Sequence, residues 1–257
     1  MCIVGSKKYV MGDFLVHHVS ISTSTNLDAL ELAERGIEDS VVVLADEQSA
    51  GIGRNKKVWR SPHGNLYFSI ILRGALNIPA LSFVAAIAVG TALEEVFLHH
   101  NGQQSKNTCC TRVEYKWPND VMVNGKKISG ILLQTKTLGG GQISWVVCGI
   151  GINIYSSPIS TSTSIKEHVP CITLSNVELM EIVLKNFRKL LDAYNTYGFS
   201  VLRNLWLNKA YKMGETVQIV TNTNTRHVGK FVNINTDGAM VLQSNSSLLS
   251  IGYGKML

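Results

Sequence analysis

The sequence has no CxxC pair, no histidines at metal-ligand spacing and neither of the common glycine-rich nucleotide signatures. Each absence closes off a class of function. Its five cysteines (Cys2, Cys109, Cys110, Cys148, Cys171) are an odd, scattered set, which speaks against a disulfide framework and for a reducing compartment. His17-His18 and His99-His100 are adjacent pairs, and neighbours point apart on a strand or helix, so neither pair has the spacing of a zinc site. No GxxxxGK[ST], no GxGxxG and no internal repeat occurs. No apolar h-region follows the N-terminus, and the longest apolar stretch, Phe83 to Val89, is too short to span a bilayer. The expectation is a soluble cytoplasmic or organellar protein without a tightly bound metal. Acidic residues are scarce too: 18 Asp and Glu against 24 Lys and Arg leave a net charge of +6, which favours an anionic partner.

What is present is an ordinary globular composition, 45% hydrophobic and 16% charged over 257 residues, enough for one large domain or one large and one small. Thr25-Asn26-Leu27-Asp28 reads as a helix start with Thr25 as cap, and Gly36 closes the segment. Val41 to Ala45 is an apolar run of buried-strand length, and Leu81 to Leu98 has helical spacing. Tyr115 opens a strand-like segment that breaks at Pro118. Val121 to Val123, Asn124-Gly125 and Lys126 to Leu133 read as a β-hairpin, because Asn-Gly supplies the positive φ angles of a type I′ turn. Ile143 to Ile154 is a further strand. Tyr155 to Val169, rich in Ser and Thr, reads as a long mobile loop, and Ser175 to Glu178 matches a capping box before an amphipathic helix. From Gly214 onward short strands alternate with turns, one of them Asn235-Thr236-Asp237-Gly238. The fold class is α+β with a mixed, mostly antiparallel sheet. The boundary with a small all-β module gives domains of residues 1–211 and 212–257.

Four segments are candidates for chemistry. Gly51-Ile52-Gly53-Arg54-Asn55-Lys56-Lys57-Val58-Trp59-Arg60 joins glycines, which let a backbone approach an anion, to basic side chains and a tryptophan. It cradles a phosphate, lies on a nucleic acid or turns a corner. In Lys116-Trp117-Pro118-Asn119-Asp120 the proline forces Trp117 toward extended geometry and sets how Asn119 and Asp120 are presented; a turn with a buried Trp is the other reading. In Gly125-Lys126-Lys127-Ile128-Ser129-Gly130 the two lysines face opposite sides of a strand, so at most one faces a site. Gly149-Ile150-Gly151-Ile152-Asn153 weakens a strand interior with alternating glycines, which marks close approach by a ligand or another backbone.

KWPND, GKKxxGILL and GIGIN, in that order after a QxxGxGR loop (Gln48, Gly51, Gly53, Arg54), resemble the biotin protein ligase family, which includes holocarboxylase synthetases. The resemblance runs from Ser24-Thr25-Asn26 to the end of the chain. It implies a class II aminoacyl-tRNA synthetase-like catalytic domain with a C-terminal SH3-like β-barrel, in the form without an N-terminal DNA-binding domain. It also implies a two-step reaction. The biotin carboxylate attacks the α-phosphorus of MgATP to give biotinyl-5′-AMP and pyrophosphate. A lysine of a carboxylase's biotin carboxyl carrier domain then takes the acyl group and releases AMP. ATP, Mg2+ and biotin would be its small-molecule partners, with no DNA, no membrane, and a monomer or weak homodimer as the assembly.

The roles follow from the same resemblance. Ser24, Thr25, Asn26, Gln48, Gly51, Trp59 and Gly130 would bind biotin, Trp59 packing along its chain. Gly53, Arg54, Lys57, Lys116, Asn119, Lys127, Gly149, Gly151 and Asn153 would bind ATP and the adenylate. Lys127, Arg54 and Asp120 would be catalytic, with Asp120 also the Mg2+ ligand. Three departures from the family pattern matter. Ile52 stands where many members have Arg, Gln134 where a Glu is common, and Cys171 near the place of an aromatic residue that covers the adenine. Two other readings are a lipoate or octanoate ligase of the same superfamily and a basic nucleic-acid-binding module. If the roles are right, Lys127→Ala and Arg54→Gly each lower biotin-dependent pyrophosphate exchange by about 10²–10³. Unchanged exchange in a folded Lys127→Ala protein rules out the role given to that lysine.

Overall fold

The computed structural model describes residues 5–37, 40–74, 77–101, 111–137, 143–245 and 247–257. Cys2, Cys109 and Cys110 lie outside the described residues; Cys148 is a buried free thiol and Cys171 an exposed one. The chain runs β1 (Lys7–Met11), β2 (Phe14–Ser22), α1 (Thr25–Glu34), β3 (Val41–Gln48), β4 (Leu66–Arg73), α2 (Ile78–Asn101), β5 (Val113–Lys116), β6 (Asp120–Val123), β7 (Lys126–Thr137) and β8 (Ile143–Ile152). After α3 (Ile165–His168), α4 (Asn176–Tyr197) and α5 (Phe199–Leu207) come β9 (Thr216–Val220), β10 (Arg226–Ile234), β11 (Met240–Ser244), β12 (Ser247–Ile251) and β13 (Lys255–Met256).

Among the described residues β1 to β8 form one sheet in the order β1-β2-β3-β4-β8-β7-β6-β5. Only β2 and β3 pair in parallel; the other neighbours are antiparallel. The run Val41 to Leu44 shows no alternation because both faces of the sheet are covered. Val42 and Leu44 point into the main core, while Val41 and Val43 meet Ala29 and Ala33 of α1 on the opposite face. Helix α2 lies in the main core beside α4 and α5. Its stretch Ile78–His100 contains an 18-residue window with a mean hydropathy of 1.8 and is long and apolar enough to cross a membrane by composition, but 72% of that window is buried inside this fold. The apolar character is used by the core.

The hairpin reading of β6–β7 holds, with Asn124 at φ 48° and Gly125 at φ 78°. The capping box also forms: Ser175 accepts from the Glu178 backbone N–H, and the Glu178 carboxylate accepts from that of Ser175. Two local expectations are corrected. Ser24, not Thr25, occupies the N-cap of α1, and it makes no side-chain cap bond because its neighbourhood belongs to the cleft described below. The segment 155–169 is not a free loop. Ser162, Thr163, Ser164 and Ile165 are buried, and the Thr163 N–H donates to the Lys127 carbonyl at 2.8 Å. Its hydroxyls satisfy local acceptors instead of water, as in Ser162 Oγ to the Ile159 carbonyl at 2.8 Å.

The tail forms a separate antiparallel sheet of five strands, β12-β11-β10-β9-β13, in keeping with an SH3-like module. It is fastened to the body by aromatic packing. The Trp206 ring stacks on Tyr115 with centroids 6.1 Å apart, and lies 5.3 Å from Phe83 and 6.4 Å from Phe231 of β10. Trp117 Nε1 donates to the Gly238 carbonyl at 3.1 Å, so the tryptophan of KWPND is buried and also tethers the β10–β11 turn. Truncating Trp206 to Ala removes contacts to both sheets. Such a change costs about 3–5 kcal/mol, measurable as a lower midpoint in urea unfolding.

Candidate active site

On the α1 face of the sheet, successive inward positions of β8 are Trp145, Val147, Gly149 and Gly151. The first two pack under α1. At the glycines the side chains stop and a cleft of about 260 Å³ opens. Asn26, at the start of α1, lies so close to Gly149 that a Cβ there collides with its carboxamide. A Cβ at Gly151 would fall 2.7 Å from the Trp59 indole, and one at Gly130 3.0 Å from it. The alternating glycines therefore give two other side chains access to the sheet floor.

A polar cradle forms at the α1 end of the cleft. Gln48, the last residue of β3, accepts from the Thr25 N–H at 2.8 Å and donates to Ser61 Oγ at 2.8 Å. Ser69 Oγ sits 2.7 Å from Asn26 Oδ1 and 2.8 Å from Thr25 Oγ1. Asn26 Nδ2 donates to Gln134 Oε1 at 2.8 Å. The amide at position 134 thus supplies the acceptor that a carboxylate would otherwise provide, and Asn26 acts as a rivet as much as a ligand contact.

The charged end is built on the β6–β7 hairpin. Lys127 Nζ meets Asp120 Oδ1 at 2.6 Å and lies over the Trp59 ring, 5.1 Å from its centroid. Lys126, on the other side of the strand, is exposed. The stretch from Gly51 to Ser61 folds as a small flap: Gln48 bridges Ser61, Ile52 bridges Val58, and Arg54–Lys56 form the turn at its tip. Ile52 thus makes the flap's own hairpin and lines the cleft. Arg54 Nη1 donates to Asn119 Oδ1 at 2.9 Å and Nη2 to the Gly254 carbonyl at 3.1 Å. Burial lowers the Arg54 pKa from its ordinary value, against the pull of Asp120. Arg54 is bonded rather than freely surface-facing, so Arg54→Gly also loosens the flap from the C-terminal sheet.

The structure brings together all the residues singled out from sequence except three. Gly51 starts the flap without lining the cleft, and its carbonyl accepts from the Trp59 N–H at 2.9 Å. Asn153 is buried and donates to the Thr163 carbonyl at 2.9 Å, bracing the segment that bonds the Lys127 backbone. Lys116 stands over the Tyr211 ring at 5.8 Å. Its pKa is lowered chiefly by burial, with Lys212, Lys255 and Lys127 adding to the effect and Asp120 opposing it. Sequence reading missed Ser69, Tyr67, Ile159 and Lys255, all at the cleft. Only Ser69 carried a signal, as the polar interruption of the apolar run Leu66 to Leu72.

Residues 17–153, more than half of the chain, match the model of the biotin/lipoate A/B protein ligase family. The chain belongs to this family. Among relatives, it is 35% identical over 233 residues to a biotin–[acetyl-CoA-carboxylase] ligase of Paracoccus denitrificans, covering 86% of this chain and 90% of that one. It is 30% identical over 257 residues to the bifunctional ligase/repressor BirA of Bacillus subtilis, covering 96% of this chain and 74% of that one. A solved biotin protein ligase from Aquifex aeolicus, in complex with biotin and ATP, superposes with a TM-score of 0.78 at 25% identity, over 94% of this chain and 97% of that chain. The α+β body with a small C-terminal β module is thus the fold of this ligase family.

Within this ligase fold the Trp59 ring is turned inward, with its Nε1 buried and without a hydrogen-bond partner among the described residues. A buried N–H left unpaired costs about 1–3 kcal/mol. Gly151→Ala evicts the ring. The expected result is stronger acrylamide quenching of tryptophan fluorescence than in the parent protein, lost again when Trp59→Phe is added. Equal quenching in the parent and Gly151→Ala proteins rules out this packing.

Proposed function

We propose that the protein is a biotin protein ligase that forms biotinyl-5′-AMP from biotin and ATP and passes the biotinyl group to a lysine of a carboxylase's biotin carboxyl carrier domain. The observation that carries this is one cleft with two unlike ends. Its neutral cradle of Thr25, Gln48 and Ser61 suits a ureido group, which offers both donors and acceptors. Its other end, with Lys127 against Asp120, suits a carboxylate meeting a phosphate. The named activities of the Paracoccus relative and the ligands of the Aquifex structure support the same reading.

In the first step a biotin carboxylate oxygen bonds to the α-phosphorus while the bridge to the β-phosphate breaks and pyrophosphate leaves. Lys127 would face the negative charge that gathers on the oxygens around the α-phosphorus, so its attraction would be greater in the transition state than before it. In the second step the neutral ε-amine of the acceptor lysine bonds to the acyl carbon, the bond to the AMP oxygen breaks, and the amine's proton is lost. Magnesium enters as part of the ATP substrate. Asp120 is the one carboxylate among the described cleft-lining residues. A single carboxylate suits an ion held mainly by phosphates and water. We assign the catalytic domain to residues 1–211 and the β module to 212–257, and the activity to the cytoplasm, where ATP and carboxylases meet.

The inward position of Trp59 disfavours the nucleic-acid reading, because the half-buried ring packs over Gly130 and Gly151 and under Lys127 instead of lying on an open basic surface. The ligase reading predicts pyrophosphate release from ATP that depends on biotin and is absent with lipoate or octanoate. It also predicts biotin transfer to an isolated carrier domain only when ATP is present. Release driven by lipoate, or release independent of either acid, would exclude it.

A further inference from the structure

At the neutral end of the cleft four side chains touch in a row: Gln134, Asn26, Ser69 and Thr25. Asn26, Ser69 and Thr25 are buried, so each of their hydrogen bonds has to be made within the protein or to a ligand. One end of the row fixes its direction. The Leu132 carbonyl, an acceptor only, lies 3.5 Å from Asn26 Nδ2, so the carboxamide turns its nitrogen toward β7 and its oxygen toward Ser69. Gln134 Oε1 accepts from the same nitrogen at 2.8 Å. Asn26 Oδ1 then needs a donor, and among the described residues the Ser69 hydroxyl supplies it at 2.7 Å. A hydroxyl has one proton to give. If Ser69 gave it to Thr25 instead, a buried amide oxygen would be left unpaired, the costlier arrangement. The 2.8 Å contact between Ser69 Oγ and Thr25 Oγ1 is therefore made with the Thr25 proton. Gln48 Oε1, at 3.2 Å, is the other acceptor for that proton in the cradle. In both cases the proton points into the protein, and Thr25 turns lone pairs toward the cleft that it lines.

We propose that Gln134 and Ser69 are positioning residues that hold the Thr25 hydroxyl as an acceptor, so that the cleft selects an acid whose head group offers an N–H. This rests on the ligase reading given above and names what that site discriminates. Gln48 adds the complementary half, since it lines the cleft with one N–H that no described residue accepts. An acceptor beside a donor matches a ureido group, whereas an apolar chain or a sulfur ring leaves both unpaired. Gln134 and Ser69 stand behind the lining residues and act through the direction of the bonds they impose. A carboxylate at position 134 would impose the same direction, because it also accepts. An aliphatic residue there frees the Asn26 carboxamide to turn over. Asn26 would then donate to Ser69 and Ser69 to Thr25, which releases the Thr25 proton toward the cleft.

The test is calorimetric titration of the intact protein with biotin and with two cyclic carbamates, each having one ureido N–H replaced by oxygen. The parent protein binds at least one carbamate about 30-fold more weakly than biotin, the range of one buried hydrogen bond. In Ser69→Ala and in Gln134→Leu that ratio falls to about threefold, and biotin itself binds about tenfold more weakly. Gln134→Glu keeps the parent ratio within about twofold, and the KM for ATP changes by no more than about twofold in all three variants. Loss of packing alone would weaken biotin and the carbamates equally, so the ratio separates a directed relay from a structural contact. A ratio unchanged from the parent in Gln134→Leu, or in a folded Ser69→Ala protein, overturns the proposal. Equal parent affinity for biotin and both carbamates does so too. Binding needs no turnover. A parent protein that shows the ratio and its loss in the variants but releases no pyrophosphate keeps the relay and refutes the ligase reading instead.

Discussion

A sheet covered on both faces has no room for a ligand unless side chains are withheld somewhere. Here they are withheld on β8, where Gly149 and Gly151 follow Trp145 and Val147 along one face. The two bulky residues carry α1, and the two glycines leave the gap into which Asn26 and Trp59 reach. Every other feature of the cleft is arranged around that gap. The polar residues at the start of α1 line one end, the β6–β7 hairpin supplies the charged pair, and the flap closes over the top. Adding even one methyl at either glycine is an overpacking change, which in a well-packed interior costs about 1–3 kcal/mol.

The small C-terminal sheet is tied into this arrangement rather than appended to it. Trp117 belongs to the motif that presents Asn119 and Asp120, and its indole is anchored on the Gly238 carbonyl. Arg54 of the flap reaches the Gly254 carbonyl. Trp206 joins the two hydrophobic regions through Tyr115 and Phe231. The tail thereby stabilises the charged end of the cleft and, through Lys255, adds to it. Stability of the module and affinity for the anionic substrate are coupled through the same contacts.

Electrostatics gives the site its direction. Excess positive charge held in part away from water destabilises the empty cleft and favours the loaded one. Release of pyrophosphate lowers the negative charge in the site. The neutral cradle around Gln48 is indifferent to that change and keeps its hold on an uncharged head group. One cleft can therefore exchange its phosphates while retaining the group to be transferred.

Local chemistry was legible in the sequence where a few neighbouring residues decide it. The Asn124-Gly125 turn, the Ser175 capping box, the apolar run of β3 and the paired glycines of β8 follow from φ preferences, hydrogen-bond reach and side-chain size. The charged end around Arg54, Asp120 and Lys127 was legible through the resemblance of their motifs to the biotin protein ligase family, while each motif taken alone left other readings open. Contacts between distant segments had no such signal. Nothing in the sequence around Lys255 relates it to Arg54, 201 positions earlier, because only the packing of one sheet on another makes them neighbours. The Ser- and Thr-rich segment from 155 to 169 has the composition of a loop, but long-range bonds to Lys127 and Asn153 order it. Asn153 likewise has the look of a ligand contact, and the partner it meets is the Thr163 carbonyl. Periodicity, turns and motif chemistry were determined along the chain. Which charges share a cleft was decided by the tertiary structure, because Coulomb attraction and steric exclusion act through distances in space, not in sequence.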